Sequence, residues 1–304
     1  MPIMKDPILS SFAFAAFLLP STLMCAAAPA NPFFAMDTAL SSGKPRGSAD
    51  DQAALLKDLG YAGIGASGYL SDEYLAAFER QGLKVFNTYL TLDFDSAKPG
   101  IEPQLKDLVA RLKGRDTALW LAIGKVQRDG VKLKPSDPAG DDVVVPRLVE
   151  LAGLARAGGV RIALYPHTAL WVERVDDALR LVGKVKQANV GATFNLCHWL
   201  KVEGDRDPKP VLKAALPHLF FVTVNGADHG DTRTMNWDRL IRPLGQGSYE
   251  VGGLLRTLKE LDYSGPVGFQ GYGIPGDSRQ ILAQTMTAWQ QFGKPTEPTP
   301  GPAR

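Results

Sequence analysis

Polar residues that could carry chemistry stand at the ends of four strand-like apolar runs in the second half of this 304-residue chain. The four clusters are Tyr165-Pro166-His167, Asn195-Leu196-Cys197-His198, Asn225-Gly226-Ala227-Asp228 and Gln270-Gly271-Tyr272. Imidazoles suit proton transfer near neutral pH, because their unperturbed pKa is about 6.5. Amides supply both donors and acceptors, which suits a polyhydroxylated ligand. The clusters therefore predict a polar pocket, with amides at positions where a metal site would need acids.

The elements that must position these clusters are eight short apolar or β-branched runs that alternate with amphipathic stretches. The predicted strands are residues 33–36, 62–66, 84–90, 118–123, 161–167, 190–196, 219–225 and 267–270. Alternating strands and helices are typical of a parallel sheet, and eight repeats predict an α/β fold that closes into a single (β/α)8 TIM barrel. An open doubly wound sheet would normally carry a glycine-rich turn after its first strand, and residues 36–40 contain no glycine.

In a barrel, the loops after the strands converge on the C-terminal rim, where barrel enzymes place their active sites. Sequence position assigns these candidates to that rim: Asp37, Asn87, Tyr89, Lys125, Tyr165, His167, Asn195, His198, Asn225, Asp228, Gln270 and Tyr272. The long loops 124–142 and 228–247 are candidate lids or partner surfaces. The aromatic residues that could offer a face to a sugar ring are Tyr89, Trp171, Trp199 and Tyr272.

The order and spacing of these clusters resemble the xylose-isomerase-like sugar isomerase and epimerase family of TIM barrels. In that family an E-x-H-type element, a D-x-x-H element and an H-x-x-D element end strands five, six and seven, a P-L-G-x-G turn precedes the last helix, and a Glu ends strand eight. Here the four clusters stand in that order, and Pro243-Leu244-Gly245-Gln246-Gly247 supplies the turn. The similarity runs across residues 145–292, whereas the first half agrees only in its alternation of strands and helices.

The resemblance also implies a divalent-metal site, and the sequence departs from it there. The family's ligands would fall on Tyr165, Asn195, Asn225 and Gln270, none of which is the expected Glu, Asp, His or Glu. A divalent cation bound by hard oxygen ligands needs carboxylate charge. We therefore expect no cofactor at the inherited site. Metal-assisted isomerisation or epimerisation by the family's two glutamates is also placed in doubt, since an amide or phenol is a poor base near neutral pH.

Three interpretations remain open. A divergent metal-independent enzyme would use His167 or His198 as acid or base, with Lys125 and Asp228 as electrostatic helpers. A pseudoenzyme would only bind a carbohydrate or a partner at the same rim. The predicted ligand-contacting residues are Tyr89, Tyr165, Asn195, Trp199, Asn225, Gln270 and Tyr272. An active isomerase, epimerase or lyase would rebuild the metal site from His167, His198 and Asp228, a set that suits Zn or Fe.

Several of these residues also have a purely structural interpretation. The amides could satisfy neighbouring backbone groups, and Tyr165 could fill the vacated metal cavity. His167 and His198 could be buried, hydrogen-bonded core residues.

The two ends of the chain are predicted to lie outside the barrel, which spans residues 31–293. Residues 1–30 read as a secretory signal peptide, with an early Lys5, a largely apolar stretch and the small-x-small pattern Ala28-Pro29-Ala30, although an uncleaved anchor is the alternative. The mature protein would then be periplasmic or extracellular, and Cys197 would be its only cysteine. Residues 294–304 are proline-rich and predict a disordered tail.

Charge composition limits the choice of partners. The chain has 34 basic and 32 acidic side chains, a formal net charge of +2, and no polybasic cluster. Nucleic acid and anionic membranes are therefore not expected as partners, nor is stable membrane insertion after signal cleavage. The expected partner is a small carbohydrate-like ligand.

Overall fold

The computed structural model of the protein describes residues 29–41, 46–98 and 100–293. The predicted signal segment, apart from its last two residues, and the predicted tail lie outside the described residues. Within the described ranges, no helix is both long and apolar enough to cross a bilayer.

Eight parallel strands close into a barrel, and a ninth, two-residue strand lies outside it. The strands are β1 (Phe33–Met36), β2 (Gly63–Ser67), β3 (Lys84–Asp95), β4 (Ala118–Arg128), β5 (Val131–Lys132), β6 (Ile162–Leu164), β7 (Val190–Asn195), β8 (Leu219–Val224) and β9 (Val267–Phe269). All pair in parallel except β5, which forms a short antiparallel hairpin with β4 outside the barrel. The ring closes because β1 pairs with both β2 and β9, and β3 pairs with β4. The predicted (β/α)8 barrel is confirmed, with β6 to β9 as its fifth to eighth strands.

Helices follow the strands and cover the outside of the barrel. They are α1 (Ala49–Asp58), α2 (Asp72–Arg80), α3 (Pro103–Arg111), α4 (Asp141–Ala157), α5 (Val175–Val185), α6 (Leu196–Glu203), α7 (Lys209–Ala215), α8 (Trp237–Leu240), α9 (Val251–Glu260) and α10 (Ser278–Phe292). Local sequence fixes several starts: Ser48, Ser71 and Asp277 each accept a hydrogen bond from a backbone N–H in the first turn of α1, α2 and α10.

The apolar core has two layers, one between strands and helices and one inside the barrel. The inner layer consists of Phe34, Met36, Phe86, Ala118, Trp120, Ala122, Ala163, Tyr165 and Phe221. Trp120 stacks on Tyr165 with ring centroids 3.9 Å apart. The barrel interior is therefore a packed core rather than a channel, and its upper boundary is set by large aromatic rings.

The first part of the loop 124–142 is strand rather than loop. β3 and β4 continue past the other strands, with Phe94 paired to Val126 and Asp95 paired to Gln127. The carboxylate of Asp93 also accepts a hydrogen bond from the backbone N–H of Lys125 at 2.7 Å. Pairing with β3 gives this backbone the hydrogen bonds that a free loop would lack, which explains why residues 124–128 are strand rather than part of the predicted loop.

The polar cluster after β8, residues 225–228, packs directly on the glycine-containing turn before α9, residues 243–247. Gly226 and Arg242 exchange both backbone hydrogen bonds, at 2.9 and 2.8 Å. A Cβ atom on Gly247, whose φ is +89°, would lie 2.0 Å from the carbonyl oxygen of Ala227. The glycine of the turn before α9 is thus required by close approach to the backbone after β8.

Candidate functional site

The ends of β6 to β9 bring four predicted residues to the C-terminal rim of the barrel. Tyr165, Asn195, Asn225 and Gln270 are all buried there, each at 9% exposure or less. The strand register explains this, since Asn195 is level with Thr223, and Val224 is level with Phe269. Their hydrogen bonds show how far each side chain remains available to a ligand.

Asn195 uses both ends of its amide within the protein. Its nitrogen donates to the hydroxyl of Tyr165 at 3.1 Å and to the hydroxyl of Thr223 at 2.7 Å. Its oxygen accepts from the backbone N–H of His198 at 3.1 Å and from the thiol of Cys197 at 3.0 Å. Asn195 is therefore the N-cap of α6 and links three strands.

The other two amides are less completely bonded. The nitrogen of Asn225 donates to the carbonyl oxygens of Gly226 at 2.8 Å and Leu240 at 2.6 Å, but its buried oxygen has no partner. Gln270 accepts one long hydrogen bond of 3.5 Å from the hydroxyl of Thr38. Of the three amides at the ends of β7, β8 and β9, Gln270 thus has the most hydrogen-bonding capacity left over.

Tyr165 fills the space above the barrel core. Besides stacking on Trp120, its ring meets Tyr89 edge-to-face with centroids 5.7 Å apart. Burial raises the pKa of its phenol well above the ordinary value, because water is excluded from the ionised form. The phenol is therefore neutral and serves as a hydrogen-bond acceptor for Asn195.

His167 and His198 form a pair at the rim, with ring centroids 3.9 Å apart. Thr168 lies between them. Its carbonyl oxygen is 2.9 Å from Nδ1 of His167, and a carbonyl can only accept, so that nitrogen carries a proton. Its backbone N–H and hydroxyl lie 3.4 and 3.1 Å from Nδ1 of His198, which must accept from the N–H and so carries no proton.

The two histidines are kept neutral by their surroundings. Burial lowers the pKa of His167, and burial together with the neighbouring His167 lowers the pKa of His198 well below 6.5. A neutral His167 protonated at Nδ1 has a free acceptor at Nε2, whereas a neutral His198 has a donor at Nε2. The pair thus offers one base and one acid side by side.

Asp228 and Lys125 do not join the histidines in the way that the sequence predicted. Asp228 accepts from Arg239 at 2.9 Å and lies 3.4 Å from Arg242. The hydrogen bond from Arg239 holds the pKa of its carboxyl below the usual range. Lys125 is exposed on the β3–β4 extension. Asp228 therefore fixes the loop after β8, and neither residue contacts the histidine pair.

Asp37, at the end of β1, is buried at 2% exposure beside Arg46 and Ser67. Its two oxygens accept from Arg46 at 2.6 Å and from Ser67 at 2.9 Å. Burial nevertheless raises the pKa of this carboxyl, because the loss of water outweighs the attraction of the half-exposed Arg46 guanidinium.

The aromatic residues that were predicted to face a ligand differ widely in their exposure. Trp199 is only 5% exposed and packs against Phe194 and Arg206, so its ring is covered by protein. The structure therefore corrects the prediction that Trp199 contacts a ligand. The reason is that the chain turns into α6 at Leu196, and Trp199 is one of the residues of this helix that the protein covers. Trp171 is also buried, Tyr89 is half-buried and Tyr272 is 64% exposed.

Sequence reasoning missed Trp237, the first residue of α8. Its ring meets His198 edge-to-face, with centroids 5.6 Å apart, and remains 39% exposed. The only sequence signal was an aromatic residue inside the long loop 228–247, which did not indicate the contact with a histidine 39 positions earlier.

The residues present do not fit a divalent metal at the four positions that the family resemblance implies. No carboxylate stands at the four ligand positions, and the oxygen of Asn195 is already occupied. The unpartnered oxygen of Asn225 is a single neutral donor, which is too little for a hard cation that prefers six or more oxygens. Across the described ranges, no three His, Cys, Asp or Glu side chains lie close enough to hold a metal ion together, so His167, His198 and Asp228 are not assembled as a ligand set.

A cavity of about 240 Å³ lies at the opposite end of the barrel from the histidine pair. It is lined by Leu75, Glu79, Gly82, Leu83, Lys84, Val85, Arg115 and Thr117. Its charged groups are already paired, Lys84 with Asp116 and Arg115 with Glu79. Because these residues lie in α2 and around the starts of β3 and β4, the cavity is not part of the candidate site.

Residues 53–290 match the family model described as Xylose isomerase-like TIM barrel. Among solved structures, the IOLI protein with a binding zinc atom is 18% identical, with a TM-score of 0.67 over 86% of this chain and 97% of that chain. 3-keto-D-glucoside 4-epimerase YcjR from E. coli is 16% identical, with a TM-score of 0.65 over 86% of this chain and 99% of that chain.

D-allulose 3-epimerase from Methylomonas sp. is 16% identical, with a TM-score of 0.66 over 88% of this chain and 99% of that chain. No curated protein matches the sequence. At such identities the structural likeness shows the shared fold.

Proposed function

Because the chain belongs to the xylose isomerase-like TIM barrel family, we propose that its C-terminal rim binds a sugar-like ligand without a divalent metal and transfers protons through His167 and His198. The observation that carries this proposal is the opposite protonation of the two imidazoles, which Thr168 fixes on both sides. A general base needs an unprotonated nitrogen and a general acid needs a protonated one, so fixed tautomers give each imidazole one of these two roles.

The chemistry that such a pair supports is proton transfer beside a carbonyl group. Nε2 of His167 takes the proton from the carbon next to the carbonyl, while Nε2–H of His198 donates to the carbonyl oxygen, giving an enediol. His167 then returns its proton to the former carbonyl carbon, and His198 regains one from the neighbouring hydroxyl. Each bond that breaks is matched by one that forms, and the carbonyl moves to the adjacent carbon.

The side-by-side arrangement favours this shift over epimerisation. Inversion at one carbon needs an acid and a base on opposite faces of that carbon. His167 and His198 are neighbours with a ring separation of 3.9 Å, which suits transfers on one face of the ligand. A neutral imidazole is also a suitable donor to a carbonyl oxygen, as is known for other enzymes that lower a histidine pKa.

The ligand class is supported by the family and by the polar groups that remain at the rim. Two of the structural neighbours are proteins named as epimerases of 3-keto-D-glucoside and of D-allulose. Gln270, with spare hydrogen-bonding capacity, and the unpartnered oxygen of Asn225 suit the hydroxyl groups of such a ligand. Tyr165 and Asn195 support the pocket from below.

A second candidate, ligand binding without chemistry, is favoured by the state of the acidic groups. Asp228 is held by two arginines and Asp37 by Arg46 and Ser67, so neither can act as a free carboxylate base. If the histidines only donate and accept hydrogen bonds, the same rim is the recognition site of a pseudoenzyme.

Solvent deuterium exchange separates these candidates. Protein treated with a chelator is incubated in D2O with ketoses and with oxidised sugars, and incorporation beside the carbonyl is followed by proton NMR. Exchange by the wild type that is lost in His167→Gln and in His198→Gln, but kept in His218→Gln at the exposed far end of the barrel, supports proton transfer. Sugar binding with no exchange supports the pseudoenzyme, and exchange that requires added metal contradicts the proposal.

We also propose that the protein is exported, on the strength of the apolar segment and the small-residue pattern that end at Ala30. N-terminal sequencing of the protein recovered from cell fractions is the test. A mature chain that begins at Asn31 in a periplasmic or extracellular fraction is the expected result, and retention of Met1 in the cytoplasm contradicts it.

A further inference from the structure

One tryptophan differs from the other four in its environment. Trp237 is 39% exposed, whereas the others are covered by protein at 5% exposure or less: Trp120, Trp171, Trp199 and Trp289. Large aromatic side chains contribute most of their stabilisation through burial, so a half-exposed indole suggests a role outside the core.

The indole of Trp237 is nevertheless held in place. Nζ of Lys201 lies 5.5 Å from the ring centroid, and the same ammonium donates to the carbonyl oxygen of Met235 at 2.7 Å. The helix residue Leu240 is fully buried, and the N–H of Ile241 donates to the carbonyl of Trp237 at 2.8 Å. The ring is thus a rigid exposed surface rather than a loose side chain.

The position of this surface relative to the acid and base defines what it could bind. The indole lies edge-to-face with His198 at a centroid distance of 5.6 Å, and His198 lies against His167. A ligand stacked on Trp237 therefore has its edge beside the imidazoles. Sugar rings have this dual character, because C–H groups form an apolar face while the hydroxyl and carbonyl groups lie on the rim of the ring.

We propose that Trp237 is a stacking platform for a closed sugar ring and that the substrate is a cyclic sugar whose carbonyl group is on the ring. This inference rests on the proposed function. Stacking requires the ring to be closed, whereas proton transfer by the histidines requires a carbonyl beside a C–H group. An ordinary aldose has a closed ring in one form and a free carbonyl group only in its open form. A closed ring in which one hydroxyl group has been oxidised to a ketone satisfies both conditions at once.

Fluorescence offers a direct test, because Trp237 is the tryptophan that acrylamide can reach. The probes are a methyl glucopyranoside, whose ring cannot open, and glucitol, which cannot close. We expect the glycoside to protect the protein from acrylamide quenching and glucitol to have no effect. In Trp237→Phe both the quenchable emission and its protection should be lost.

Affinity gives a second readout. Replacement of Trp237 by Ala should weaken binding of the glycoside by about threefold to tenfold, the range expected for one lost aromatic contact. Leu154→Ala, which truncates a similarly exposed apolar residue on α4 at the outside of the barrel, is the matched control and should leave binding unchanged. Equal protection by glucitol, or equal affinity in Trp237→Ala and wild type, overturns the platform.

The deuterium assay keeps this inference separate from the proposed function. Exchange into a ring ketone that falls in Trp237→Ala through a higher KM, with kcat little changed, supports a platform that positions the ring. Exchange that is unaffected by Trp237→Ala contradicts the platform while leaving the histidine proposal intact. The histidine variants keep Trp237. If they lose exchange but the glycoside still protects them from acrylamide quenching, the two roles are separate.

Discussion

The amide nitrogen of Asn195 donates to the hydroxyl of Tyr165 at 3.1 Å, and the oxygen of the same amide caps α6 at the backbone N–H of His198. One side chain thus joins the residue that fills the barrel mouth to the helix that carries a candidate acid. This relationship makes Asn195 a structural residue first, whatever ligand the rim binds.

Replacing Asn195 by Leu should therefore lower the free energy of unfolding. The variant loses an N-cap, worth about 1 kcal/mol, and leaves the buried hydroxyls of Tyr165 and Thr223 short of a partner, at about 1 to 3 kcal/mol. Denaturant titration should show a combined loss on the order of 2 to 4 kcal/mol. Gln270→Leu, which removes one long hydrogen bond, is the control and should cost less than Asn195→Leu. Equal losses in the two variants would contradict the capping role.

Stability should fall as the pH is lowered below about 6.5, the unfolded-state pKa of histidine. The folded-state pKa of His198 is lowered by burial, so the unfolded chain binds more protons in the window below 6.5 and is favoured there. Denaturant midpoints measured from pH 8 to pH 5 should decline in the wild type and decline less in His198→Gln. Leu154→Ala, which changes an exposed residue without an ionisable group, provides the comparison and should keep the wild-type slope. An unchanged slope in His198→Gln would be the adverse result.

Asp37→Asn should be at least as stable as the wild type at pH 7. Burial raises the pKa of Asp37 in spite of its ion pair with Arg46, so folding disfavours the ionised carboxylate. The folded protein binds more protons than the unfolded chain just above pH 3.8, and stability falls as the pH rises through that window. Asparagine removes the charge and keeps the shape. A clear loss of thermal stability in Asp37→Asn at pH 7 would show that the ion pair outweighs the burial.

The ring nitrogens of the two histidines should give opposite NMR signatures. With ¹⁵N-labelled protein at pH 7, His167 should be protonated at Nδ1 and His198 at Nε2, as their contacts with Thr168 require. Thr168→Val removes one hydroxyl but keeps the backbone contacts, so the tautomers should persist with His198 less completely in the Nε2–H form. Identical tautomers in the two rings would remove the basis for assigning an acid and a base.

The purified mature protein should contain no stoichiometric Mn, Mg or Co. The four positions implied for a metal hold a phenol and three amides, and the oxygen of Asn195 is already bonded. Elemental analysis, together with melting temperatures measured with and without a chelator, tests this expectation. One tightly bound metal per chain, lost in His198→Ala, would instead favour a rebuilt site.

Sequence periodicity was sufficient for the barrel but not for the directions of all side chains. The strand at Phe33–Met36 and the other seven were recognised because apolar runs alternate with amphipathic ones. The site was harder, because the chain leaves β7 at Asn195 and enters α6 at once. Asn195 could have been identified as an N-cap, whereas Trp199 cannot be oriented without the helix start.

Other site contacts depend on the tertiary fold alone. Trp237 reaches His198 only because the loop after β8 folds back over α6, and no local pattern encodes that contact. The arginine partners of Asp228 likewise come from residues 11 and 14 positions later, beyond the reach of a motif.

The position of Tyr165 also has a consequence for building a metal site into this rim. Its ring occupies the mouth of the barrel between Trp120 and Asn195, so replacement by glutamate would leave a void over Trp120 and a buried carboxylate without a cation. Replacement of Asn195 by aspartate alone would likewise bury a negative charge, at a position that is 2% exposed. Each single step toward the metal ligands that the family resemblance implies therefore gives a less stable protein, so a metal site would have to be built here by several substitutions at once.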